Sequence, residues 1–393
     1  MASSEYNIYK NIFQNYNNNI RPVTSSRIDV LVALHFFTLL YMEQKEELIV
    51  FSADFELQWF DPQLVWNPDE YAGRQAIYVP EPYIWKPDVT VYNSVGQSEV
   101  LEASRRLVNI RYDGLVKVSN PSVYTSRCRL NVNKFPFDTQ TCYISLSSWV
   151  YITDELTIYA PKELPGSASE YVGNSEWDIL ELSVANETTV DAANMTFSEL
   201  EYKIVIKRRS SYYVFVLLLP TFIVSTISLL GLFTPYDNNG HRVERVTLGL
   251  TTLLSLAVMI NLVGDEMPKT TKLPQLGSYV LAEIILCSTG VLITIIIQFA
   301  HQRIITRRVL TFKNELPKDP NYRRILNSSH GLTENIGKIE KSLQEVVQYL
   351  ENIDNRETLR LGWVRFFDTI DLFFLILFQI TNIILTLCFA LIH

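Results

Sequence analysis

The 393-residue chain has few of the residues that usually build catalytic, metal or nucleic-acid sites. Its five histidines have no nucleophile or second metal ligand at a useful spacing, and the sequence has no glycine-rich loop that would cradle a phosphate. A net charge of −8 leaves no basic excess for nucleic acid. The sequence therefore argues against an enzyme, a metal site, a cofactor and a nucleic-acid partner. The histidines are His35, His241, His301, His330 and His393.

The N-terminus lacks the features of a secretory leader. Met1-Ala-Ser-Ser is hydrophilic, with neither a positively charged n-region nor a small-residue cleavage site. We expect a mature or engineered start, and the sequence leaves open whether a signal peptide once preceded it.

Long apolar runs are absent from residues 1–210, whereas four of them follow. A helix needs roughly 20 apolar residues to cross the hydrocarbon core of a membrane, so the sequence predicts four transmembrane helices. Because 19% of the chain is charged, we expect a polar domain joined to a membrane domain. The runs are Tyr212–Phe233, Val246–Val263, Tyr279–Ala300 and Leu372–Ile392.

Residues 1–210 have the pattern of a β protein. After a short helix predicted within Tyr6–Asn19, segments rich in β-branched and aromatic residues alternate with Pro, Gly, Asn and Asp turns. Short strands at this spacing predict an all-β sandwich. The predicted strands are Arg27–Leu40, Ile49–Trp59, Arg106–Val118, Cys142–Trp149, Asp178–Val184 and Phe197–Lys207.

Four cysteines allow several interpretations, because spacing alone does not distinguish a bridged, metal-bound or buried thiol. Cys128 and Cys142 share the β domain with two glycosylation sequons, at Asn186 and Asn194. This combination favours an oxidising, extracellular side and a Cys128–Cys142 disulfide, which would contribute roughly 3 kcal/mol by closing about 15 residues. A zinc site is the rival, but no histidine lies nearby. The other two cysteines, in apolar runs, are expected to be buried and inert.

The connector between the third and fourth runs is basic, which predicts a cytoplasmic location by the positive-inside rule. The N-terminal domain and the C-terminus are then extracellular. Apolar residues of the connector recur at helical spacing, so we expect an amphipathic helix that runs into the last span. The predicted domains are 1–210, the extracellular sandwich; 211–301, the first three spans; 302–362, the connector; and 363–393, the fourth span.

The second apolar run carries polar residues on one stripe. At about 100° per residue, steps of three and four keep these positions on one helix face, with acids at its ends, hydroxyls in one half and aliphatics in the middle. Helix–helix packing explains such residues, and so does a pore lining with acidic rings and an apolar gate. A pore needs several subunits around an axis. The stripe is Glu244, Thr247, Thr251, Leu254, Val258, Asn261 or Leu262, and Asp265.

These parts together resemble the Cys-loop pentameric ligand-gated ion channels, closest to their cation-selective, nicotinic-like branch. The loop between Cys128 and Cys142 carries Phe135-Pro136-Phe137-Asp138, a specific match to the loop that names the family. The other matches are Trp59-Phe-Asp61, Trp85-Lys-Pro87-Asp88 with Tyr92-Asn93, Ser148-Trp149-Val-Tyr151, Arg208 before the first span, and Pro268 and Pro274 after the second.

The resemblance implies roles for these residues. Tyr92, Trp149, Tyr151 and Phe197 would form the principal face of an aromatic ligand site, and Trp59 its complementary face on the next subunit. For each lone tryptophan, core packing is the plainer alternative. The loop would couple ligand binding to the pore, with Pro136 a candidate cis peptide. The residues assigned to coupling are Phe135, Pro136, Phe137, Asp138, Arg208, Pro268 and Pro274.

The resemblance also implies a function and its partners. Val243-Glu244-Arg245 stands where anion-conducting members carry Pro-Ala before the basic residue, so monovalent cations are the expected permeating ions. Further expected partners are four identical or homologous subunits, membrane lipids and a small extracellular agonist, with a cationic amine as a candidate. The segment Val184–Phe197 lacks the neighbouring cysteine pair of nicotinic α subunits. This lack motivates one alternative, an auxiliary subunit of a hetero-pentamer that supplies only a complementary face. A non-conducting membrane receptor is a separate alternative.

Overall fold

The computed structural model describes residues 4–22, 27–161, 171–234, 243–265, 273–313 and 332–391. The chain divides into two compact units. The first comprises Met1–Val214 with Gly264–Gln275, and is called here the N-terminal unit. The second comprises Phe215–Val263 with Leu276–His393, and is called the helical unit.

The N-terminal unit begins with helix α1, Ser4–Ile12, and continues as strands joined by short turns. The strands are β1 Ile28–Glu43, β2 Leu48–Val65, β3 Ala76–Pro80, β4 Val89–Val91, β5 Ser94–Glu99, β6 Leu107–Arg111, β7 Asp113–Val118, β8 Pro121–Arg127, β9 Thr139–Ser148, β10 Leu156–Tyr159, β11 Tyr171–Val172, β12 Trp177–Val190 and β13 Thr196–Arg208.

These strands form two sheets. The larger runs in the order β10-β1-β2-β7-β6-β3, with β8 also paired to β2, β5 to β8, and β11 to β1; the smaller runs β12-β13-β9-β4. Alternate side chains of the strands are buried, as in β8 and β9, which matches one core face and one outer face per sheet. The ring of Tyr202 in the smaller sheet lies 5.6 Å from Phe55 in the larger, so the buried faces meet in one aromatic core. The predicted sandwich is confirmed.

The first span combines three helical geometries. It starts as α2, Ser211–Tyr213, widens into a π-helical stretch, Val214–Leu218, and continues as α3, Leu219–Phe233. Pro220 has no N–H to donate to the preceding turn and its ring crowds that turn, which accounts for a widened helix at this point.

The remaining helices are α4 Val243–Asp265, α5 Gln275–Lys313 and α6 Leu332–Leu391. Four candidate membrane spans lie in these elements: Ser211–Phe233, Arg245–Asp265, Gln275–Ile304 and Arg365–Leu391. The core of the helical unit contains Leu229, Leu232 and Phe233 of α3, Val291 of α5 and Phe378 of α6. The structure thus has a helix at each of the four predicted runs.

Three expectations differ from the structure in detail. The predicted strand Arg106–Val118 is two strands with a turn at Tyr112, and the predicted strand Asp178–Val184 extends to Val190. In contrast, the helix expected in the connector does run into the last span, because α6 is continuous for 60 residues. Cys287 is buried as expected, whereas Cys388 is exposed on the helical unit, since it lies on a face of α6 that does not pack against the other described helices.

Candidate functional site

Two exposed aromatic rings lie together at one end of the smaller sheet. Tyr92, directly after β4, is 61% exposed, and Trp149, directly after β9, is 65% exposed. Their ring centroids are 5.5 Å apart. The backbone N–H of Tyr92 donates to the carbonyl oxygen of Ser145 at 2.7 Å, which extends the β4–β9 pairing to the tyrosine. Contiguous exposed apolar surface marks binding sites, so this ring pair is the centre of the candidate site.

The carboxylate of Asp88 holds the loop that carries Trp149. Its Oδ2 accepts from the N–H groups of Trp149 at 3.0 Å and Val150 at 2.8 Å, and its Oδ1 accepts from the Ser148 hydroxyl at 2.6 Å. The Ser148 oxygen in turn accepts from the N–H of Tyr151 at 2.8 Å. Bonds to a charged group contribute about 1.5–3 kcal/mol each, so Asp88 fixes this loop before any ligand arrives.

Tyr151, the third predicted principal-face residue, belongs to a different ring cluster. Its ring centroid lies 6.3 Å from that of Trp85, and the guanidinium carbon of Arg21 lies 5.7 Å from the Tyr151 centroid. Arg21 also donates to the carbonyl oxygen of Glu155 at 2.6 Å. Among the described residues Tyr151 has no ring contact with Tyr92 or Trp149, so it is not part of the exposed pair.

The structure places Trp59 differently from its expected complementary face. Its side chain is only 1% exposed and packs edge-on against Trp85, with centroids 6.1 Å apart. Alternation along β2 turns Trp59 into the core and leaves its neighbour Phe60 50% exposed. A ring with almost no free surface offers nothing for a ligand to contact, so core packing, the plainer alternative, describes Trp59 here.

Phe197 lies on β13 next to the Trp149 loop. Thr153 donates through both its backbone N–H and its hydroxyl to the carbonyl oxygen of Thr196, at 2.8 and 2.9 Å. These bonds hold the start of β13 beside the loop. Phe197 is half-buried, and within the described chain it has no ring contact with Tyr92 or Trp149. It therefore borders the ring pair without completing an aromatic box in the single chain.

Carboxylates that the sequence analysis did not single out line the strands next to the rings. Glu187 of β12 stands directly opposite Glu199 of β13, and Glu199 stands opposite Ser147 of β9, two residues before Trp149. Desolvation, followed by the charges of Glu199 and Glu187, raises the pKa of Glu201. Like charges directly opposite each other in a sheet are destabilising. This acidic stripe, Glu187, Glu199 and Glu201, gives the surface beside the ring pair a negative potential.

Both predicted glycosylation asparagines are exposed. Asn186 lies on β12, where its Oδ1 accepts from the N–H of Ala160 at 3.1 Å. Asn194 lies in the turn between β12 and β13 with φ +62°, a conformation that asparagine tolerates better than most residues. Both side chains are sterically open to a glycan, and their modification remains a prediction.

The predicted disulfide between Cys128 and Cys142 is present, with a Cα–Cα distance of 5.1 Å. The Phe135–Pro136 peptide bond is cis, as expected. Within the bridged loop Phe135 and Asp138 are each 1% exposed, and Phe137 is half-buried. Pro136 is also buried, so the loop buries three of its four motif residues within the N-terminal unit.

The buried guanidinium of Arg208 contacts that loop and several other segments of the N-terminal unit. It forms ion pairs with Asp138, at 2.8 Å, and with Glu176. Burial alone would lower the pKa of Arg208, but the hydrogen bond and charge of Asp138 outweigh burial, and the pKa is raised. The guanidinium carbon lies 4.1 Å from the Trp177 ring centroid and 4.9 Å from that of Phe135. The sequence analysis identified Arg208 and Asp138 but not the partners Glu176 and Trp177.

The predicted polar stripe coincides with an exposed face of α4. Leu254 is 67% exposed, Val258 51% and Leu262 48%, whereas Leu256 and Val263 on the opposite face are buried. The Thr251 hydroxyl donates to the carbonyl oxygen of Leu248 within its own helix at 2.9 Å. The helix therefore packs through one face and leaves the other unpacked in the single chain. The exposed face also includes Thr247, Thr251, Asn261 and Asp265.

Two predicted residues lie outside what the structure describes, namely the side chain of Glu244 and the whole of Pro268. Pro274 is buried directly before α5. Arg245, adjacent to Glu244, pairs with Asp371 of α6 at 3.4 Å and donates to the carbonyl oxygen of Leu232 at 3.4 Å. Its guanidinium is thus held by its own chain.

Comparison with known proteins agrees with these observations. A family model of the neurotransmitter-gated ion-channel ligand-binding domain matches residues 5–210, and one of the transmembrane region matches residues 217–320. The chain is 30% identical over 297 residues to the chicken (Gallus gallus) neuronal acetylcholine receptor subunit alpha-9, covering 75% of this chain and 60% of the relative. It is 31% identical over 309 residues to an acetylcholine receptor subunit alpha-like of Manduca sexta, covering 75% and 59%.

A β-sandwich followed in the chain by four candidate spans is the architecture of a multi-pass membrane protein with one folded domain before its spans. The chain belongs to the neurotransmitter-gated ion-channel family. It is therefore a multi-pass protein of the plasma membrane, and its family is one of channels rather than enzymes, as the sequence predicted. The matched region spans about 60% of the length of the curated relatives.

Proposed function

We propose that the chain is a subunit of a pentameric, cation-selective channel that is opened by a small extracellular organic cation. The observation that carries this proposal is the exposed ring pair Tyr92–Trp149 beside the acidic stripe. Ring faces attract cations by about 0.5–2 kcal/mol per contact, and neighbouring carboxylates raise the local concentration of positive ligands. Neither feature suits an anionic ligand.

The ring pair and Phe197 would form the principal face of the site. Its other wall would come from the neighbouring subunit, because the ring pair is open to solvent in the single chain. The relatives are named as acetylcholine receptor subunits, which makes acetylcholine the first probe to use. The lack of a cysteine pair between Val184 and Phe197 leads us to include other cationic amines.

The exposed face of α4 would line the pore. Five copies of Thr247, Thr251, Leu254 and Val258 around an axis would give hydroxyl rings followed by an apolar constriction that gates by dewetting. Rings of Glu244 and Asp265 at the two ends would favour cations over anions. Burial of the opposite face of α4 supports this orientation.

The bridged loop would transmit ligand binding toward the pore. Asp138 of that loop and Arg208, three residues before the first span, form one buried ion pair. Motion of the β-sandwich therefore reaches the start of the span through few contacts. Phe135, Pro136, Phe137, Pro268 and Pro274 complete the proposed coupling residues.

A second candidate is an auxiliary subunit that supports agonist binding only when a homologous subunit is present. It is favoured by the burial of Trp59, because this chain then lacks an identified aromatic residue for a complementary face. Recording from the chain expressed alone and with a nicotinic α subunit distinguishes the two candidates.

Binding of radiolabelled acetylcholine and competing amines to membranes that contain the full chain tests the proposed site. Trp149→Ala and Tyr92→Ala should each weaken binding about 2-fold to 30-fold, and Trp149→Phe should weaken it less, because a ring face remains. Tyr78→Ala, which alters an exposed tyrosine on β3, is the matched control and should bind normally. Equal affinity of all four variants would reject this site.

A further inference from the structure

The membrane-spanning helices enclose a group of polar atoms that have no partner. Glu283, Asn382, Ser225 and Ser228 are all 0% exposed. Both carboxylate oxygens of Glu283, Oδ1 of Asn382 and both serine oxygens lack a hydrogen-bond partner among the described residues. Buried polar groups in proteins almost always have a partner, and the cost of leaving them unpaired is highest in a membrane span.

Contacts between helices bring these atoms to one level of the helical unit. Tyr279 of α5 contacts Thr386 of α6, with 3.2 Å between the hydroxyl oxygens. One turn away from that contact lie Glu283 on α5 and Asn382 on α6. Helices α5 and α6 are antiparallel, because His301, later in α5 than Tyr279, contacts Phe367, which is earlier in α6 than Thr386. Glu283 and Asn382 therefore lie at the same height along the two helices.

Helix α3 contributes to this group of polar atoms from a third side. The hydroxyls of Ser225 and of Tyr279 both lie beside the Glu283 carboxylate. The amide nitrogen of Asn382 donates to the hydroxyl of Thr226 at 3.2 Å, and this bond directs the amide oxygen of Asn382 away from Thr226. Three helices thus contribute oxygen atoms to one enclosed place, with Ser228 one turn further along α3.

The inventory of these atoms indicates the kind of ligand. An ionised carboxylate and an amide oxygen are pure acceptors, and hydroxyls both accept and donate. The described part of the chain has no salt bridge to Glu283. A buried carboxylate without a cation is very costly. The Thr386 hydroxyl donates to the backbone carbonyl oxygen of Asn382 at 3.0 Å, so the proton of Tyr279 is directed to Thr386. Ser225 carries a single proton and can satisfy at most one of the three acceptor atoms of Glu283 and Asn382. A positive species that accepts nothing satisfies the others.

We propose that Glu283, Asn382 and Ser225, with Ser228 nearby, form a binding site for a small monovalent cation inside each subunit, separate from the pore and from the ligand site. Hard oxygen donors suit such ions. The single carboxylate balances one positive charge, whereas a divalent ion would leave an excess charge buried among Leu and Phe side chains. The site joins α3, α5 and α6, so its occupancy stabilises the packing of those three helices.

Sodium ion is the probe for the test. The full chain is purified in lipid nanodiscs and unfolded thermally in NaCl or in MgCl₂ at equal ionic strength, since a divalent ion does not suit the site and is not a ligand for the ring pair. We expect an unfolding midpoint several degrees higher in sodium, with a saturable concentration dependence, because a ligand that binds only the folded state stabilises it. No difference between the two salts overturns the proposal.

Variants locate the effect. Glu283→Gln keeps the side-chain shape and should abolish the sodium response, whereas Thr289→Val, on an exposed face of the same helix, should retain it. A response that persists in Glu283→Gln overturns the proposal, as does a midpoint that follows pH and ignores sodium.

A second measurement applies if Glu283→Gln does not fold. Ser225→Ala removes one neutral ligand and leaves the charge in place. Binding of ²²Na⁺ to this variant should be about 5-fold weaker or more than to the unaltered chain. Equal ²²Na⁺ affinity of the two proteins would remove the serine from the site and overturn the assignment.

Discussion

At the scale of single residues, Arg208 holds together segments that are far apart in the sequence. Its side chain is 0% exposed and pairs with Asp138 and Glu176. Arg208→Ala would leave both carboxylates without their cation. Removing one partner of a buried ion pair costs about 3–5 kcal/mol, so we expect a strongly lowered unfolding midpoint and little protein at the cell surface.

The adjacent Arg209 provides the matched control. Its side chain is 53% exposed and pairs with Asp178 on the surface. Exposed ion pairs contribute little to stability, so Arg209→Ala should leave surface expression and the unfolding midpoint close to those of the unaltered chain. Arg208→Lys should fall between the two, because it keeps the charge but loses the planar donor geometry. Equal stability of the two alanine variants would contradict this account of Arg208.

Glu201 makes stability depend on pH. Its pKa is raised, first by desolvation and then by Glu199 and Glu187, so the folded state binds the proton more tightly than the unfolded state. The associated stability is present below the ordinary pKa of 4.5 and is lost as pH rises through the raised value. Glu201→Gln should therefore raise the unfolding midpoint at pH 7 and have little effect at pH 4.

Added NaCl and a variant far from Glu201 provide the controls for the Glu201→Gln experiment. Screening weakens repulsion between exposed charges, so the gain from Glu201→Gln at pH 7 should shrink as NaCl is added. Glu46→Gln, an exposed carboxylate in the turn between β1 and β2, should change neither profile. A destabilised Glu201→Gln protein at pH 7 would show that Glu201 has an attractive partner instead.

At the scale of elements, the loop after β9 depends on a carboxylate that it does not contain. Asp88 accepts from the N–H groups of Trp149 and Val150. Asp88→Asn would replace the carboxylate with an amide, which has only one oxygen to accept hydrogen bonds from these N–H groups. Loss of bonds to a charged acceptor costs about 1.5–3 kcal/mol, so we expect agonist affinity to fall about 10-fold or more in the binding assay.

Asp154→Asn is the control for the Asp88 experiment. Asp154 is an exposed carboxylate in the loop between Trp149 and β10. Its substitution changes the same net charge in the same region but leaves the bonds to Trp149 in place. If both variants lose affinity equally, electrostatic attraction rather than loop geometry explains the effect of Asp88.

Helix α4 gives a gating prediction. Leu254 is 67% exposed in the single chain, and Leu256 on the other face is buried. Leu254→Thr should make the channel open at lower agonist concentration, because a polar ring stabilises a wetted pore. Leu256→Thr should instead reduce the amount of folded protein, since it buries a hydroxyl. Concentration–response curves compare the two, and an unshifted Leu254→Thr curve places the gate elsewhere.

The sequence predicted these elements well where the pattern is local. A high content of β-branched and aromatic residues predicted β1, β2 and β13, and apolar length predicted the four spans, because each signal depends on neighbouring residues alone. The sequence did not show that the side chain of Trp59 is buried. The motif singled out the residue, but packing between the two sheets decides which side of β2 faces the core. The pairing of Glu187 with Glu199 was equally hidden, since strand register joins residues 12 positions apart.

The region around Arg208 shows the same limit. Asp138 and Arg208 were predicted from motifs, whereas Glu176 and Trp177 belong to a segment with no motif of its own. They became visible only when β12 paired with β13, which places Trp177 opposite Arg208. Likewise, Glu283 is the one charged residue of the predicted run Tyr279–Ala300, but the sequence does not show that polar groups of two other helices lie around it.

At the scale of the whole molecule, a single copy of the chain exposes apolar surfaces that nothing in the same chain covers among the described residues. The ring pair Tyr92–Trp149 and the aliphatic stripe of α4 are both open to solvent or lipid in the monomer. A closed ring of subunits covers such surfaces with identical partners. The proposed pentamer accounts for both exposures with one assembly, and the ligand site and pore then both depend on neighbouring subunits.

The most direct test of the central claim is voltage-clamp recording from cells that express this chain alone, perfused with acetylcholine and other small amines. The account predicts an evoked current whose reversal potential follows the cation gradient when external salt is diluted, with that preference reduced in Glu244→Gln. An evoked current that follows the chloride gradient, or surface-expressed protein that stays silent both alone and with a nicotinic α subunit, would contradict it.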